Sequence, residues 1–215
     1  MKEFRGYQKI KEANEFFRYD FRGKAVLDIG ASTGGFTKYA LDNGAAFVYA
    51  VEKGTAQMTD ALRYDMRVEV WEKTDIFEVA VDGMDCRAIV IEEERRDGEK
   101  RIIMSLPTVD TIKQPDVILV DVSFISLTKI LKYATMKLCR EKTDFLVMLK
   151  PQFEAAPKQL NRGVVKNESM RRDIIRQFEN WLRENGFVIV AKRDNELTGK
   201  KGNRERFYYL TWSRS

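Results

Sequence analysis

Three short stretches of this 215-residue sequence bring together residue types that can do chemistry. The first is Asp28-Ile29-Gly30-Ala31-Ser32-Thr33-Gly34-Gly35-Phe36. Its glycines let a backbone approach a ligand closely and turn sharply into a helix. Asp28, just ahead of the first glycine, can receive an ammonium directly or through water; the plainer alternative is a buried strand-end acid satisfied by loop amides. The second is a pair of segments, Asp121-Val122-Ser123-Phe124 and Lys150-Pro151-Gln152-Phe153-Glu154. Each begins with a polar residue at the end of a strongly apolar run, so Lys150 and Asp121 are expected at one sheet rim. Desolvation lowers a lysine pKa and a nearby carboxylate raises it, so sequence does not sign the net effect; a rim salt bridge is the plain reading. The third is Gly199-Lys200-Lys201-Gly202-Asn203-Arg204-Glu205-Arg206, a basic loop whose place before the last strand makes Glu205 a candidate for the same cleft.

The elements that must position these residues are legible as apolar runs and their punctuation. Ala25 to Ile29 reads as a buried strand closed by Gly30, followed by a helix around Phe36 to Leu41 that Asn43-Gly44 ends. Phe47 to Val51 is a second strand ending at Glu52; Gln57 to Arg63 reads as a helix and Val68 to Trp71 as a short third strand. Asp116 to Asp121 is a strand ending in an acid, followed by a helix near Leu127 to Leu138 and a strand over Asp144 to Leu149. A long loop with Pro151 and Pro157 leads to a helix from about Met170 to Asn185, stopped by Gly186. Strands at Phe187 to Val190 and Phe207 to Trp212 complete the chain. Strands alternating with helices call for an α/β fold, a doubly wound, mostly parallel sheet with helices on both faces. Arg87 to Glu93 and Glu99 to Ser105 break the rhythm and read as an inserted antiparallel hairpin turning at Asp97-Gly98.

In an open α/β sheet, ligands bind beyond the carboxyl ends of the strands. Glu52 ends the second strand, where a carboxylate can accept both hydroxyls of a ribose; Asp75 follows the third and can meet an adenine amino group. With the loop Gly30-Ala31-Ser32-Thr33-Gly34-Gly35-Phe36 and Asp28, these read as a pocket for S-adenosylmethionine. A dinucleotide site is the competitor, but the loop lacks G-x-G-x-x-G, and a pyrophosphate would not welcome an acid before the first glycine.

Composition narrows the rest. With 44% hydrophobic and 33% charged residues and no segregating linker, residues 1–215 are expected to form one domain. No apolar run approaches the ~20 residues that span a bilayer. Met1-Lys2-Glu3-Phe4-Arg5 carries no secretory apolar region, so the protein is expected to stay in the cytoplasm. Cys86 and Cys139 offer neither a disulfide framework nor a zinc spacing, and no metal is expected. The absence of histidine leaves proton transfer to Lys, Asp, Glu, Tyr or Cys. The net charge of +5 favours a polyanionic partner, and Arg171-Arg172, Lys192-Arg193 and the cluster Lys200, Lys201, Arg204 and Arg206 are the candidate phosphate contacts.

At these residues the sequence resembles the haemolysin-A-like RNA methyltransferases, a branch of the FtsJ-like 2′-O-methyltransferases. The shared strings are LDIGASTGGFT at Leu27 to Thr37, DVSFISL at Asp121 to Leu127 and LKPQFE at Leu149 to Glu154. Shorter matches are RGYQKI at Arg5 to Ile10, GVVKN at Gly163 to Asn167 and GNRE at Gly202 to Glu205. The resemblance runs nearly the whole length except for the hairpin insertion, placed within 80–113, and implies a Rossmann-like methyltransferase sheet with an antiparallel C-terminal strand and a helical lead-in over residues 1–20. It further implies S-adenosylmethionine as cofactor, ribose 2′-O-methylation of RNA, ribosomal RNA as the partner, and a catalytic tetrad of Lys9, Asp121, Lys150 and Glu205. In that scheme a ribose 2′-oxygen attacks the sulfonium methyl, Lys150 takes the proton or stabilises the alkoxide, and Asp121 and Glu205 hold the lysines.

Two departures stand out. Relatives usually carry an N-terminal S4-type RNA-binding domain, which is expected to be missing here, so RNA capture is expected from the basic surface, the insertion or a partner. Relatives also tend to have Asn-Ala-Arg after the third strand, where Asp75-Ile76-Phe77 stands. The alternatives are an idle RNA- or cofactor-binding module, or methylation of a base or small molecule. Amine methylation usually shows two prolines after the position of Asp121, and Val122-Ser123 replace them.

Overall fold

In the computed structural model, which describes residues 4–83, 89–94, 100–105, 110–139, 142–197 and 202–213, the apolar runs form a seven-stranded sheet. Its strands are β1 (Ala25–Ile29), β2 (Phe47–Glu52), β3 (Val68–Glu72), β4 (Val117–Val120), β5 (Asp144–Leu149), β6 (Phe187–Asp194) and β7 (Arg206–Trp212). Their spatial order is β6-β7-β5-β4-β1-β2-β3. Every neighbouring pair is parallel except the two made by β7, which runs antiparallel to both β5 and β6. The order reverses between β1 and β4, so the crevice at their carboxyl ends is where such a sheet takes ligands.

Helices cover both faces: α1 (Arg5–Phe17), α2 (Gly35–Asp42), α3 (Asp60–Arg63), α4 (Leu127–Lys137), α5 (Pro151–Glu154) and α6 (Glu168–Glu184). Two cores result, and the strand period of two sorts residues between them. Leu27, Ile29, Phe145, Val147 and Leu149 join α4 and α6 on one face. Val26, Leu119, Leu146 and Met148 join α1 and α2 on the other. Burial on both faces is why the central strands read as continuous apolar runs.

Several boundaries differ from the sequence reading. Over Gln57 to Arg63 only α3 is helical, and ahead of it the amides of Ala56, Gln57 and Met58 bond to the carboxylate of Glu72. The loop after β5 is structured: Pro151 opens α5 at a position where its missing N–H costs nothing, and Leu160–Asn161 pairs with Val164–Val165 in a small antiparallel ribbon. Asn167 caps α6 through the amide of Met170, two residues ahead of the expected start. The strand β6 runs four residues further than expected, to Asp194, paired along β7.

Ile89–Glu94 pairs antiparallel with Lys100–Ser105, and beside them Val79–Val81 pairs parallel with Asp110–Ile112. The turn at Asp97-Gly98 and Cys86 lie outside the described residues, while Cys139 is a buried cysteine after α4. Among the described residues no helix is long and apolar enough to cross a membrane.

Candidate active site

The carboxyl ends of β1, β4 and β5 and the entry to β7 converge with α1 on one cleft of about 570 Å³. Two glycines make the convergence possible. Gly30, at φ +83°, lets β1 turn away beside β4; a Cβ there would lie 2.7 Å from the carbonyl oxygen of Asp121. Gly35 lets α1 cross the start of α2, since its Cβ would lie 2.8 Å from the amide of Tyr7. That crossing brings Lys9, on the buried face of α1 beside Ile10 and Ala13, into the cleft.

Two ion pairs line the space. Lys9 donates to Glu205, both side chains being almost fully buried. Lys150 Nζ lies 2.5 Å from Asp121 Oδ1 and donates to Ser123 Oγ at 3.1 Å. All four residues proposed from sequence as a tetrad thus face one cleft, as do Gly30, Ala31, Ser32, Thr33, Gly35 and Phe36.

Other expected residues lie behind or beside it. Asp28 is fully buried; Thr37 donates to its Oδ2 at 2.6 Å, while Oδ1 has no hydrogen-bond partner. Burial pushes the Asp28 carboxyl up to about 7; the Thr37 hydroxyl pulls it down and the charge of Asp121 pushes it further up. Gly34 packs under Leu62 and Met58 rather than facing the cleft. Glu52 accepts the amides of Ser32 at 2.9 Å and Gly54 at 2.6 Å, bolting the glycine loop to the turn after β2. Asp75 takes Lys53 at 2.6 Å and caps the short turn at Phe77. Neither acid lines the cleft.

Of the phosphate contacts expected from sequence, Arg171, Lys192, Arg193, Arg204 and Arg206 lie against acids. Arg171 is buried and bound to Asp194, Glu168 and the carbonyl of Arg204. Lys192 pairs with Glu179, Arg193 with Glu196, and Arg206 with Asp194 and Glu179. These cations satisfy acids on α6 and β6 and so stitch the sheet edge together. Arg172 is exposed, and Lys200 and Lys201 lie outside the described residues.

Sequence reasoning passed over four side chains that shape the cleft. Phe124, 88% exposed and at φ +66°, leans on Phe153 with ring centroids 5.1 Å apart at the cleft mouth. Asn203 accepts from the amide of Val165 and donates to the carbonyl of Gly163, fastening the small ribbon to the turn that carries Glu205. Glu154 accepts from Ser126 Oγ at 2.6 Å and from the amide of Leu127 at 2.7 Å, tying the segment after β4 to α5. All four lie inside the shared strings, which mark them as a group but reveal no partner. Glu154→Ala strands both donors at the start of α4, at a cost of about 2–4 kcal/mol. A melting temperature lower by roughly 5–12 °C is expected for a chain of this size; a shift under about 1 °C would refute the clamp.

The model of FtsJ-like methyltransferases matches residues 4–212. The chain belongs to the FtsJ-like methyltransferase family. It is 32% identical over 209 residues to YqxC of Bacillus subtilis, provisionally named an rRNA methyltransferase, covering 97% of this chain and 65% of that one. It is 31% identical over 207 residues to the 16S/23S rRNA (cytidine-2′-O)-methyltransferase TlyA of Mycobacterium tuberculosis, covering 96% of this chain and 67% of the relative. This family member therefore spans about two thirds of the length of those curated relatives. Among solved structures, a protein of Streptococcus thermophilus provisionally named a hemolysin superposes with a TM-score of 0.80 at 29% identity, covering 100% of this chain and 69% of its own.

Proposed function

We propose that the protein transfers a methyl group from S-adenosylmethionine to a ribose 2′-hydroxyl of RNA, with ribosomal RNA as the substrate class. The observation that carries this reading is the convergence of Lys9, Asp121, Lys150 and Glu205 on one cleft beside the glycine loop. Relatives named for rRNA and for cytidine-2′-O-methylation support the choice of substrate.

The residues present fit the cofactor. Asp28 offers a buried, unpartnered oxygen beneath the loop, an acceptor that an amino-acid ammonium can satisfy directly or through water. Gly30 and Gly35 keep the loop surface free of side chains where it lines the cleft. When bound, S-adenosylmethionine supplies an electrophilic methyl carbon on a sulfonium. The protein's share is then to orient the acceptor hydroxyl and manage its proton. Lys150 Nζ, located by Asp121 and Ser123, is the group placed to hold or take that proton. Lys9 and Glu205 supply the second pair, and much of the acceleration comes from fixing the acceptor in line. Exposed Phe124, backed by Phe153, offers a face on which an unpaired base can stack.

The test is to incubate the protein with methyl-labelled S-adenosylmethionine and ribosomal RNA, naked and in subunits, and to separate the digested nucleosides by mass spectrometry. Label on a 2′-O-methyl nucleoside is expected. Label on a base would overturn the ribose assignment, and no label on any RNA would overturn the reaction.

A further inference from the structure

We propose that residues 155–167 form a wall that holds the RNA backbone beside the cleft, with Lys158, Arg162 and Lys166 as its phosphate contacts. This inference rests on the RNA reading above and adds the surface by which RNA is gripped.

The segment Ala-Ala-Pro-Lys-Gln-Leu-Asn-Arg-Gly-Val-Val-Lys-Asn contains three cations and no acid. All three cations are exposed, and among the described residues none has an ion-pair partner. The next acid along the chain, Glu168, is engaged by Arg171 at 3.1 Å. The contrast with the neighbouring sheet edge is sharp, since Arg171, Lys192, Arg193 and Arg206 all bind acids there. The segment beside the cleft leaves all three of its positive charges uncommitted, and a polyanion is the partner that such a surface fits.

Rigidity and placement point the same way. The ribbon Leu160–Asn161 with Val164–Val165 is closed by the Lys166 amide bonding to the Gln159 carbonyl at 3.0 Å. Asn203 fastens it at both Gly163 and Val165, and Gly163, Asn203 and Glu205 all line the cleft. The three charges are therefore held in a set relation to the catalytic pairs rather than on a free loop. The ribbon turns at Arg162-Gly163, both at positive φ (+48° and +84°). Such two-residue turns favour Asn, Asp or Gly at the first position. An arginine occupies it here despite the conformational penalty, and it sits at the tip of the ribbon. Phosphates of the strand that carries the acceptor ribose would lie along this wall while a base stacks on Phe124.

The test is binding of a labelled 30-nucleotide single-stranded RNA between about 50 and 200 mM salt, for wild type, Lys158→Gln, Arg162→Gln, Lys166→Gln and the triple variant. Lys113→Gln, an exposed cation at the amino end of β4 and so at the far end of the sheet, is the charge-matched control. Each lost phosphate contact is expected to reduce the slope of log affinity against log salt by about 0.7, and the triple variant by about 2. At ~100 mM salt the triple variant should bind on the order of a hundredfold more weakly, with wild-type melting behaviour. Ribbon variants whose slopes match wild type or Lys113→Gln, in a protein that binds and methylates RNA, overturn the wall alone. A wild-type protein that neither binds nor methylates RNA overturns the RNA reading and the wall together.

Discussion

Replacing Lys150 with alanine is expected to lower methyl transfer to RNA by about three orders of magnitude, while S-adenosylmethionine affinity stays within about threefold. The reason is local. Lys150 Nζ sits 2.5 Å from Asp121 Oδ1 and 3.1 Å from Ser123 Oγ, on the cleft wall rather than under the glycine loop. Truncation also leaves a buried Asp121 oxygen without its counter-charge, so some stability is lost with the activity. Lys150→Arg separates the two effects. A guanidinium can restore the charge opposite Asp121, but it does not give up a proton in a protein and so cannot serve as an acceptor. Near-wild-type melting with activity still about a hundredfold down is the result expected for Lys150→Arg. Single-turnover transfer to ribosomal RNA measures both variants. If Lys150→Ala retains more than about a tenth of wild-type rate, the proton does not pass through this lysine.

Much of this site could be read from the sequence because the sheet places chemistry at strand ends. Asp121 and Lys150 each close a run of apolar residues buried on both faces, Asp28 sits one residue before the end of another, and parallel strands deliver their carboxyl ends to one rim. Lys9 came from the resemblance alone and Glu205 otherwise only from its place before the last strand, since no local pattern says that α1 crosses α2 at Gly35 or that β7 begins beside α1. What stayed illegible was the pairing of charges. Arg171 and Arg206 look like phosphate ligands in one dimension, but Asp194, 12 positions before Arg206, binds both. Lys158, Arg162 and Lys166 are scattered among apolar and amide residues and made no cluster to notice. Gln57 to Arg63 has helical composition, yet Glu72 on the next strand binds the amides of Gln57 and Met58, with that of Ala56 before them, and this stretch stays non-helical ahead of α3. For Arg171, Arg206 and the stretch before α3, a contact distant in sequence decided the outcome over local propensity.

Asp28→Asn is expected to stabilise the protein and to cost it its cofactor. The wild-type carboxyl is fully buried, with one oxygen on Thr37 and the other unpartnered, and its pKa is raised from 3.8 to about 7. Between about pH 4 and 7 the folded chain therefore holds a proton that the unfolded chain has released. Because the folded pKa is the higher one, the neutral acid's contribution to stability is complete below pH ~4, drains away as pH rises, and is gone above ~7. Asparagine has no such slope and still accepts from Thr37, so the variant's advantage should open across that window. It should reach on the order of 2 kcal/mol at pH 8, after allowing for the buried amide N–H groups, or roughly 4–8 °C in melting temperature. The charge that destabilises the fold is the one an ammonium needs, so S-adenosylmethionine should bind the variant about 10–100-fold more weakly. By the same linkage, wild-type affinity should decline as pH falls below 7, and binding near pH 6.5 should expel a fraction of a proton. Calorimetry in buffers of different ionisation enthalpy reads that proton directly. If Asp28→Asn melts lower than wild type at pH 8 and binds the cofactor equally well, Asp28 is a core tether for Thr37 and the ammonium is held elsewhere.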